Sequence, residues 1–326
     1  MQNAYNTDRT CMTSNNRDCS TPAKSMTATC HPHSALLART RASSRAQPLT
    51  ALQRPMELPH AHASHAPVYL HRKPLLLPCG HAVTLLLPCE PEAVETMHRL
   101  EGELHADTVW CEVWPSAFAL ADELLSSPSL VAGKRVCELG AGVALAGIAA
   151  AMAGAAVTMT DREPRALWCA LAGAAASGVL VATPTGLPAG LPPLPPFDCA
   201  PTVHGQPASV ALLDWDAPLP PHLRGSFDVL LLCDVLYQPG SIDALARVTA
   251  HLLAERGRLL LADTAHRPGK EGLRARFLDA LLASGGRRLA VRSSRVVTVH
   301  MPAPALDVNT GDAHPVELLV IEPAEE

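Results

Sequence analysis

The chain has 326 residues, of which 48% are hydrophobic and 3% aromatic, so we predict a sizeable core that relies on Leu, Val and Ala. Residues 1–75 hold nine Lys and Arg against three Asp and Glu, whereas residues 76–326 hold seventeen against twenty-eight. A globular part this acidic is a poor candidate for binding a phosphate backbone and suits a cationic ligand or a basic protein segment. No run of 18 apolar residues occurs, so no membrane span is predicted.

The ten cysteines are irregularly spaced, and no two of them form a Cys-x-x-Cys pair. This pattern offers neither a disulfide framework nor the ligand pairs of a zinc site, so we predict reduced thiols and no metal. Reduced thiols are typical of an intracellular, reducing compartment.

Residues 1–65 are predicted to be a disordered leader. They are rich in Ser, Thr, Arg, Pro, Ala and His, and residues 34–54 contain four Arg and no acid. That composition is typical of an organellar transit peptide, and equally of a plain disordered tail. We therefore expect the cytoplasm, or a plastid or mitochondrion if the leader is a transit peptide. The histidines at positions 60, 62 and 65 are interpreted as solvated.

From residue 66 onward, apolar segments with strand and helix patterns follow one another. Apolar runs at 68–70, 75–77 and 83–87 surround a Gly turn and predict a β-hairpin extension over residues 66–108. Residues 109–326 are predicted to form the main domain, with a Pro-rich loop at 180–207. Its strands are predicted at 134–139, 155–160, 209–213, 227–233, 258–262, 288–299 and 316–321. Its helices are predicted at 117–125, 141–153, 162–177, 242–255 and 271–284.

This alternation predicts an α/β fold with a mostly parallel sheet, helices on both faces and an antiparallel strand pair at the C-terminal end. The first helix is expected to begin either with Ser116 as its N-cap or with Pro115 at its first helical position. Trp168, Phe118, Phe227 and Phe277 are interpreted as packing residues.

A glycine turn follows the first strand of the main domain, over Glu138–Gly147. Glycines at a strand-to-helix turn let backbone N–H groups approach a ligand closely. The dinucleotide fingerprint Gly-x-Gly-x-x-Gly/Ala fails here, because its last position is Leu145. Glu138 precedes the first Gly by two residues, and an acid there suits a ligand with an ammonium group, such as the methionine end of S-adenosylmethionine.

Polar or aromatic residues also end the next three strands. Asp161 ends the second, Asp214 and Trp215 the third, and the Cys233–Tyr237 segment the fourth. Ligands of open parallel sheets bind beyond the carboxyl ends of the strands. The Asp161 carboxylate can accept from ribose hydroxyls, the Trp215 indole can stack on adenine, and Asp214 can accept from the adenine amine.

In this order the motifs resemble those of seven-β-strand S-adenosylmethionine-dependent methyltransferases, and more narrowly the protein-lysine methyltransferases of methyltransferase family 16. The resemblance runs from about Tyr69 to Ile321, and its most specific pieces are Val113–Ala117, Glu138–Gly142, Thr160-Asp161 and Asp234–Tyr237. It implies a Rossmann-like seven-stranded sheet, S-adenosylmethionine as cofactor, and direct in-line methyl transfer to a lysine of a protein substrate.

The resemblance also implies roles for individual residues. It places these residues at the cofactor: Trp110, Trp114, Glu138, Gly140, Ala141, Gly142, Asp161, Asp214, Trp215 and Cys233. Asp234 and Tyr237 are implied at the target-amine channel, where Asp234 would orient and attract the cation. Two positions depart from the family pattern, with Ala144 replacing a third Gly and Ser177 replacing the Asn of an Asn-Gly pair. These departures bear on cofactor affinity more than on fold.

Other functions stay open at this point. A small-molecule N-methyltransferase would use the same fold, and Ala144 is compatible with a cofactor-free interaction module. A nicotinamide-dependent dehydrogenase is disfavoured by Leu145. We expect a monomer with neither nucleic acid nor a membrane as partner.

Overall fold

The computed structural model of the protein describes residues 56–58, 67–103, 106–183, 191, 193–197, 206–265, 269, 271–284, 289–301 and 313–324. Several predicted segments lie outside these described residues. They are the leader, except for residues 56–58, the histidine cluster within it, and most of the Pro-rich loop. Within the described part of the chain, none of the helices has both the length and the apolarity needed to cross a membrane.

A small antiparallel sheet precedes the main domain. It contains β1 (Met56–Glu57), β2 (Tyr69–Leu76) and β3 (Ala82–Pro88). The apolar runs predicted at 68–70 and 75–77 belong to the single strand β2, whose polar residues at 71–73 remain paired with β3. The strand β1 lies inside the segment predicted as a leader, where its two residues pair with β2.

The main sheet has seven strands in the order β6-β5-β4-β7-β8-β10-β9. The strands are β4 (Arg135–Leu139), β5 (Ala156–Asp161), β6 (Ser209–Leu212), β7 (Phe227–Cys233), β8 (Leu253–Thr264), β9 (Leu289–His300) and β10 (Ala313–Pro323). Strands β4 to β8 run parallel to one another, whereas β10 runs antiparallel to both β8 and β9. This arrangement confirms the predicted fold class.

Six helices accompany the strands: α1 (Pro91–Leu100), α2 (Pro115–Ser126), α3 (Leu145–Met152), α4 (Pro164–Ala176), α5 (Ile242–Leu252) and α6 (Leu273–Ser284). On β7, Val229 and Leu231 pack with α2, α3 and α4, whereas Leu230 and Leu232 pack with α5 and α6. Because alternate residues of a strand point to opposite faces, the sheet is covered by helices on both sides.

The structure shows where two of the predicted helices begin. Trp114 is the N-cap of α2 and Pro115 occupies its first turn, so the alternative with Ser116 as N-cap is wrong. The helix predicted from residue 141 begins only at Leu145, because Gly140, Gly142 and Ala144 have positive φ angles. A right-handed helix requires negative φ, so the glycine turn delays its start.

The small sheet is attached to α4 through a two-way hydrogen bond. The Thr84 backbone N–H donates to Ser177 Oγ at 2.9 Å, and the Ser177 hydroxyl donates to the Thr84 carbonyl at 3.0 Å. A Cβ atom on Gly173 would lie 3.3 Å from that carbonyl, so glycine permits this close approach. Trp168 of α4 is buried, as are Phe118, Phe227 and Phe277, which confirms their interpretation as packing residues.

Candidate active site

A cavity of about 450 Å³ lies at the carboxyl ends of β4, β5, β6 and β7. Its volume is in the range of small-molecule sites. Every residue predicted for the cofactor or the target amine lines it: Trp110, Trp114, Glu138, Gly140, Ala141, Gly142, Asp161, Asp214, Trp215, Cys233, Asp234 and Tyr237. The structure therefore brings all of these candidate residues, which are spread along the chain, together at one cavity.

The glycine turn forms the floor of this cavity. Gly140 and Gly142 have φ angles of 65° and 52°, and Ala144 adopts the same left-handed conformation at 60°. A Cβ atom on Gly140 would come within 2.9 Å of Val235 and 3.1 Å of the Trp215 ring. The glycines thus serve close packing of side chains over the turn as well as its backbone conformation.

Glu138 is buried at the end of β4. Its Oε2 accepts a hydrogen bond from the Gly147 N–H at 2.9 Å, which connects the strand to α3. The pKa of Glu138 is raised to about 8, mainly by burial and also by the charge of Asp161, while the Gly147 hydrogen bond acts in the lowering direction. The predicted contact of this carboxylate with a ligand ammonium group remains a prediction.

Asp161 holds two backbone donors at the end of β5. Its Oδ2 accepts from the Gly142 N–H at 2.9 Å and its Oδ1 accepts from the Glu163 N–H at 3.0 Å. Burial raises its pKa, while these hydrogen bonds act in the opposite direction. The Arg162 backbone also hydrogen-bonds to this carboxylate, which offers about four acceptor positions, so roughly one stays available to a ligand.

The residues after β6 and β7 complete the cofactor side of the cavity. Asp214 is exposed and its Oδ1 accepts from the Asp216 N–H at 3.0 Å, whereas Trp215 is half-buried. Burial raises the pKa of the Cys233 thiol well above its ordinary value. The thiol therefore stays protonated and is not a nucleophile.

Asp234 is buried, with a left-handed backbone at φ 52°. Its Oδ2 accepts from the Ser116 N–H at 3.2 Å, and its Oδ1 accepts from the Thr264 hydroxyl at 2.9 Å. The carboxylate therefore connects the first turn of α2 to the last residue of β8. This structural role was absent from the sequence interpretation, which considered only the amine.

Asp107 is a site residue that the sequence analysis did not select. Its Oδ2 accepts from the Tyr237 hydroxyl at 2.8 Å and from the Gln238 Nε2 at 2.9 Å, while its Oδ1 accepts from the Val109 N–H at 3.0 Å. No local signal marked it, because it lies in a polar stretch outside any predicted strand end.

Two tryptophans form the wall next to Asp107. The Trp114 Nε1–H donates to the Val109 carbonyl at 3.0 Å. Trp110 is buried, and its Nε1 has no hydrogen-bond partner among the described residues. An unpaired indole N–H beside a cavity is available to a ligand acceptor.

A second cavity of about 400 Å³ is lined by Asp107 and Gln238 and also by Glu95, His98, Arg99, Glu103, Ala106 and Thr108. His98, Glu101 and Glu103 have the spacing of a metal site. The Arg165 guanidinium, however, forms ion pairs with both Glu101 and Glu103. That cation already occupies two of the three possible ligands, so we assign no metal to the cluster.

Part of the chain is similar to a known protein family. A model described as "Lysine methyltransferase" matches residues 97–170, which include Trp110, the glycine turn and Asp161. This match and the strand order of the main sheet agree. Residues 97–170 are thus similar to lysine methyltransferases. The predicted resemblance to methyltransferase family 16 is confirmed, and so is the predicted cofactor, S-adenosylmethionine.

Individual relatives match this chain over part of their length. Zebrafish protein N-lysine methyltransferase METTL21A is 31% identical over 140 residues, which are 43% of this chain and 54% of the relative. The human electron transfer flavoprotein beta subunit lysine methyltransferase is 41% identical over 61 residues, or 18% of this chain and 23% of that protein. Rat histone-arginine methyltransferase METTL23 is 51% identical over 49 residues, or 15% and 22%.

The chain thus spans about half the length of its METTL21A relative. Among solved structures, a protein from Streptococcus mutans assigned to the SAM-dependent methyltransferases aligns with a TM-score of 0.46 and 16% identity, over 80% of this chain and 57% of that chain.

Proposed function

We propose that the protein transfers a methyl group from S-adenosylmethionine to the side-chain amine of a lysine in a protein substrate. The observation that carries the proposal is a single cavity that contains the glycine turn and Asp161 on one side and Asp234 and Tyr237 on the other. The relatives named as lysine methyltransferases support the choice of lysine.

The residues of the cavity fit the cofactor. The remaining acceptor capacity of the Asp161 carboxylate suits a ribose hydroxyl, and the half-buried Trp215 offers a ring face to adenine. Trp110, whose Nε1–H has no partner among the described residues, lines the same cavity as the left-handed Gly140 and Gly142. When bound, S-adenosylmethionine supplies a methyl group already activated by the sulfonium.

The protein then has to hold a neutral amine in line with that methyl group, so that the N–C bond forms as the C–S bond breaks. A lysine amine has a free pKa of about 10.4, and removal from water favours its neutral form. Burial and the hydrogen bond to Asp107 raise the pKa of Tyr237 above its ordinary range. Tyr237 therefore remains a phenol and does not act as a phenolate base, and the amine loses its proton to solvent.

Asp234 contributes through its position. Because its carboxylate holds the Ser116 N–H and the Thr264 hydroxyl, it sets the distance between α2 and β8 at the edge of the cavity. We propose that its negative charge also attracts the substrate cation, as the resemblance implies. The roles assigned to the cofactor-side residues are proposals of the same kind.

Transfer of tritiated methyl groups from S-adenosylmethionine to proteins of a cell extract tests the function. We expect label in a protein band with the wild type, and strongly reduced label with Asp234→Asn at unchanged affinity for S-adenosylhomocysteine. Asparagine is preferred to alanine because alanine would leave the Ser116 N–H without an acceptor. Asp228→Asn, at the opposite end of β7, is the matched control and should keep full activity.

Label found only in low-mass fractions would reject a protein substrate and support the small-molecule alternative. A protein without affinity for S-adenosylhomocysteine would instead support the cofactor-free interaction module. Amino-acid analysis of the labelled band distinguishes methyl-lysine from methyl-arginine. That distinction matters because one matched relative is a histone-arginine methyltransferase.

A further inference from the structure

Asp107 has an unusual set of neighbours for a carboxylate at the edge of a cavity. It accepts three hydrogen bonds, from the Tyr237 hydroxyl, the Gln238 amide and the Val109 N–H. Two of these donors are the last residue of the Asp234–Tyr237 motif and the residue after it, about 130 residues further along the chain. The carboxylate therefore fixes the end of that motif in one orientation.

The direction of the Tyr237 hydrogen bond determines what its oxygen can do next. A phenol has one proton and two acceptor lone pairs. Since the proton of Tyr237 points to Asp107 at 2.8 Å, the oxygen can only accept from a further partner. An amine or ammonium group is a donor, so it matches the remaining capacity of this oxygen.

The position of Asp107 agrees with this direction. Asp107 and Gln238 line both the main cavity and the second cavity, so they stand where the two adjoin. The second cavity also carries Glu95 and Glu103, but these carboxylates are already paired with Arg99 and Arg165. A cationic side chain that reaches the main cavity at this point therefore meets the negative charge of Asp107 itself.

We infer that Asp107 is a positioning residue for the target amine: it orients the Tyr237 oxygen to accept a hydrogen bond from the lysine Nζ and supplies negative charge beside it. The inference rests on the proposed function, because it requires an amine substrate in the main cavity. It adds Asp107 and the Tyr237 oxygen to Asp234 in the recognition of the substrate cation.

The chain has only three tyrosines, which makes the contact observable without an activity assay. Protein labelled with 3-fluorotyrosine should give three ¹⁹F resonances, and Tyr237→Phe identifies that of Tyr237. Nα-acetyl-lysine amide is titrated into the complex with S-adenosylhomocysteine, and Nα-acetyl-norleucine amide serves as the uncharged control. We expect the lysine probe alone to shift the Tyr237 resonance.

Asp107→Asn should raise the half-saturation concentration of the lysine probe about tenfold or more, the usual effect of losing a hydrogen bond that involves a charged group. Asp228→Asn, a carboxylate paired with Arg135 far from the cavity, should leave that concentration unchanged. In the labelling assay, Asp107→Asn combined with Tyr237→Phe should be no slower than the slower single variant, because both remove the same contact.

The outcomes separate the two proposals. Absence of binding to S-adenosylhomocysteine refutes the proposed function. Cofactor binding with a Tyr237 resonance that ignores the lysine probe, or that responds equally in Asp107→Asn, overturns the role of Asp107. If Asp107→Asn loses the native ¹⁹F spectrum, Tyr237→Phe tests the contact instead, with probe binding followed by saturation-transfer NMR. Unchanged affinity in that variant also overturns the inference.

Discussion

Gly147 provides a sharp test of the site because local and tertiary considerations predict opposite results. It lies inside α3, where replacing glycine by alanine stabilises a helix by about 1 kcal/mol. In the folded protein, however, a Cβ atom at this position would lie 2.5 Å from Glu138 Oε2 and 2.8 Å from Met159 Cγ. Both contacts are closer than van der Waals packing permits, so Gly147→Ala forces Glu138 or the helix to move.

The size of the effect follows from the groups involved. Overpacking of a dense core costs about 1–3 kcal/mol. Displacing Glu138 also breaks its hydrogen bond to the Gly147 N–H, and a buried polar group left unpaired costs about 1–3 kcal/mol more. After subtraction of the gain in helix propensity, we expect Gly147→Ala to lower the free energy of unfolding by about 3 kcal/mol.

Urea-induced unfolding, followed by circular dichroism, measures this difference. Gly240→Ala is the control, because Gly240 has no positive φ and no atom lies within 4 Å of its added Cβ. We expect Gly240→Ala to remain within about 1 kcal/mol of the wild type. Calorimetry with S-adenosylhomocysteine should show weaker binding for Gly147→Ala, since Glu138 lines the cavity.

A Gly147→Ala variant as stable as the wild type would refute the reasoning, since helix propensity would then outweigh the contact with Glu138. The double-mutant cycle with Glu138→Ala makes the test specific. Removing the carboxylate removes the 2.5 Å contact, so the two substitutions should couple by at least about 1 kcal/mol. Strict additivity would show that Gly147 acts without Glu138.

Three further predictions concern charge. The folded pKa of Glu138 is about 8, above its ordinary value of 4.5. Between these two pH values the folded state keeps a proton that the unfolded state has lost, so the free energy of unfolding falls as pH rises through this range. Glu138→Gln should flatten that part of a plot of Tm against pH. Arg274→Ala leaves the buried Asp263 without its guanidinium partner and should lower the free energy of unfolding, measured in urea, by about 3 kcal/mol. Arg135→Ala breaks an exposed ion pair and should lower it by at most about 1 kcal/mol. Asp161→Ala removes the acceptor of the Gly142 N–H and the proposed ribose contacts, so calorimetry should show a loss of S-adenosylhomocysteine affinity of tenfold or more; affinity equal to that of the wild type would rule out this role.

Much of the main domain could be predicted because its elements carry local signals. The Phe227–Cys233 segment is apolar except for Asp228 near its start, and neighbouring strands and helices show their own hydrophobic periods, so each of these elements can be recognised within a short window of sequence. The strand ends that line the cavity could be predicted for the same reason. Carboxyl ends of parallel strands meet at one edge of a sheet, so order along the chain already implies proximity in space.

Contacts between distant segments were beyond the reach of these signals. Asp107 was missed because its partner Tyr237 lies 130 residues further along the chain, and nothing in the stretch around Asp107 indicates that partner. The start of α3 was predicted too early because Ala144 has a high helix propensity, yet the turn holds it at a φ of 60°. A left-handed alanine costs about 1–2 kcal/mol, which the packing of the buried turn has to offset.

The sequence by itself determined the class of fold, the resemblance to a family and most of the residues that meet at the cavity. All of these depend on hydrophobic periodicity and on motifs a few residues long. Only the tertiary structure decided which acceptors of these residues are already occupied. Asp234 is engaged by α2 and β8, Glu138 by α3, and Tyr237 by Asp107, because hydrogen bonds form between atoms that folding brings within 3 Å or so of each other, whatever their separation in the chain.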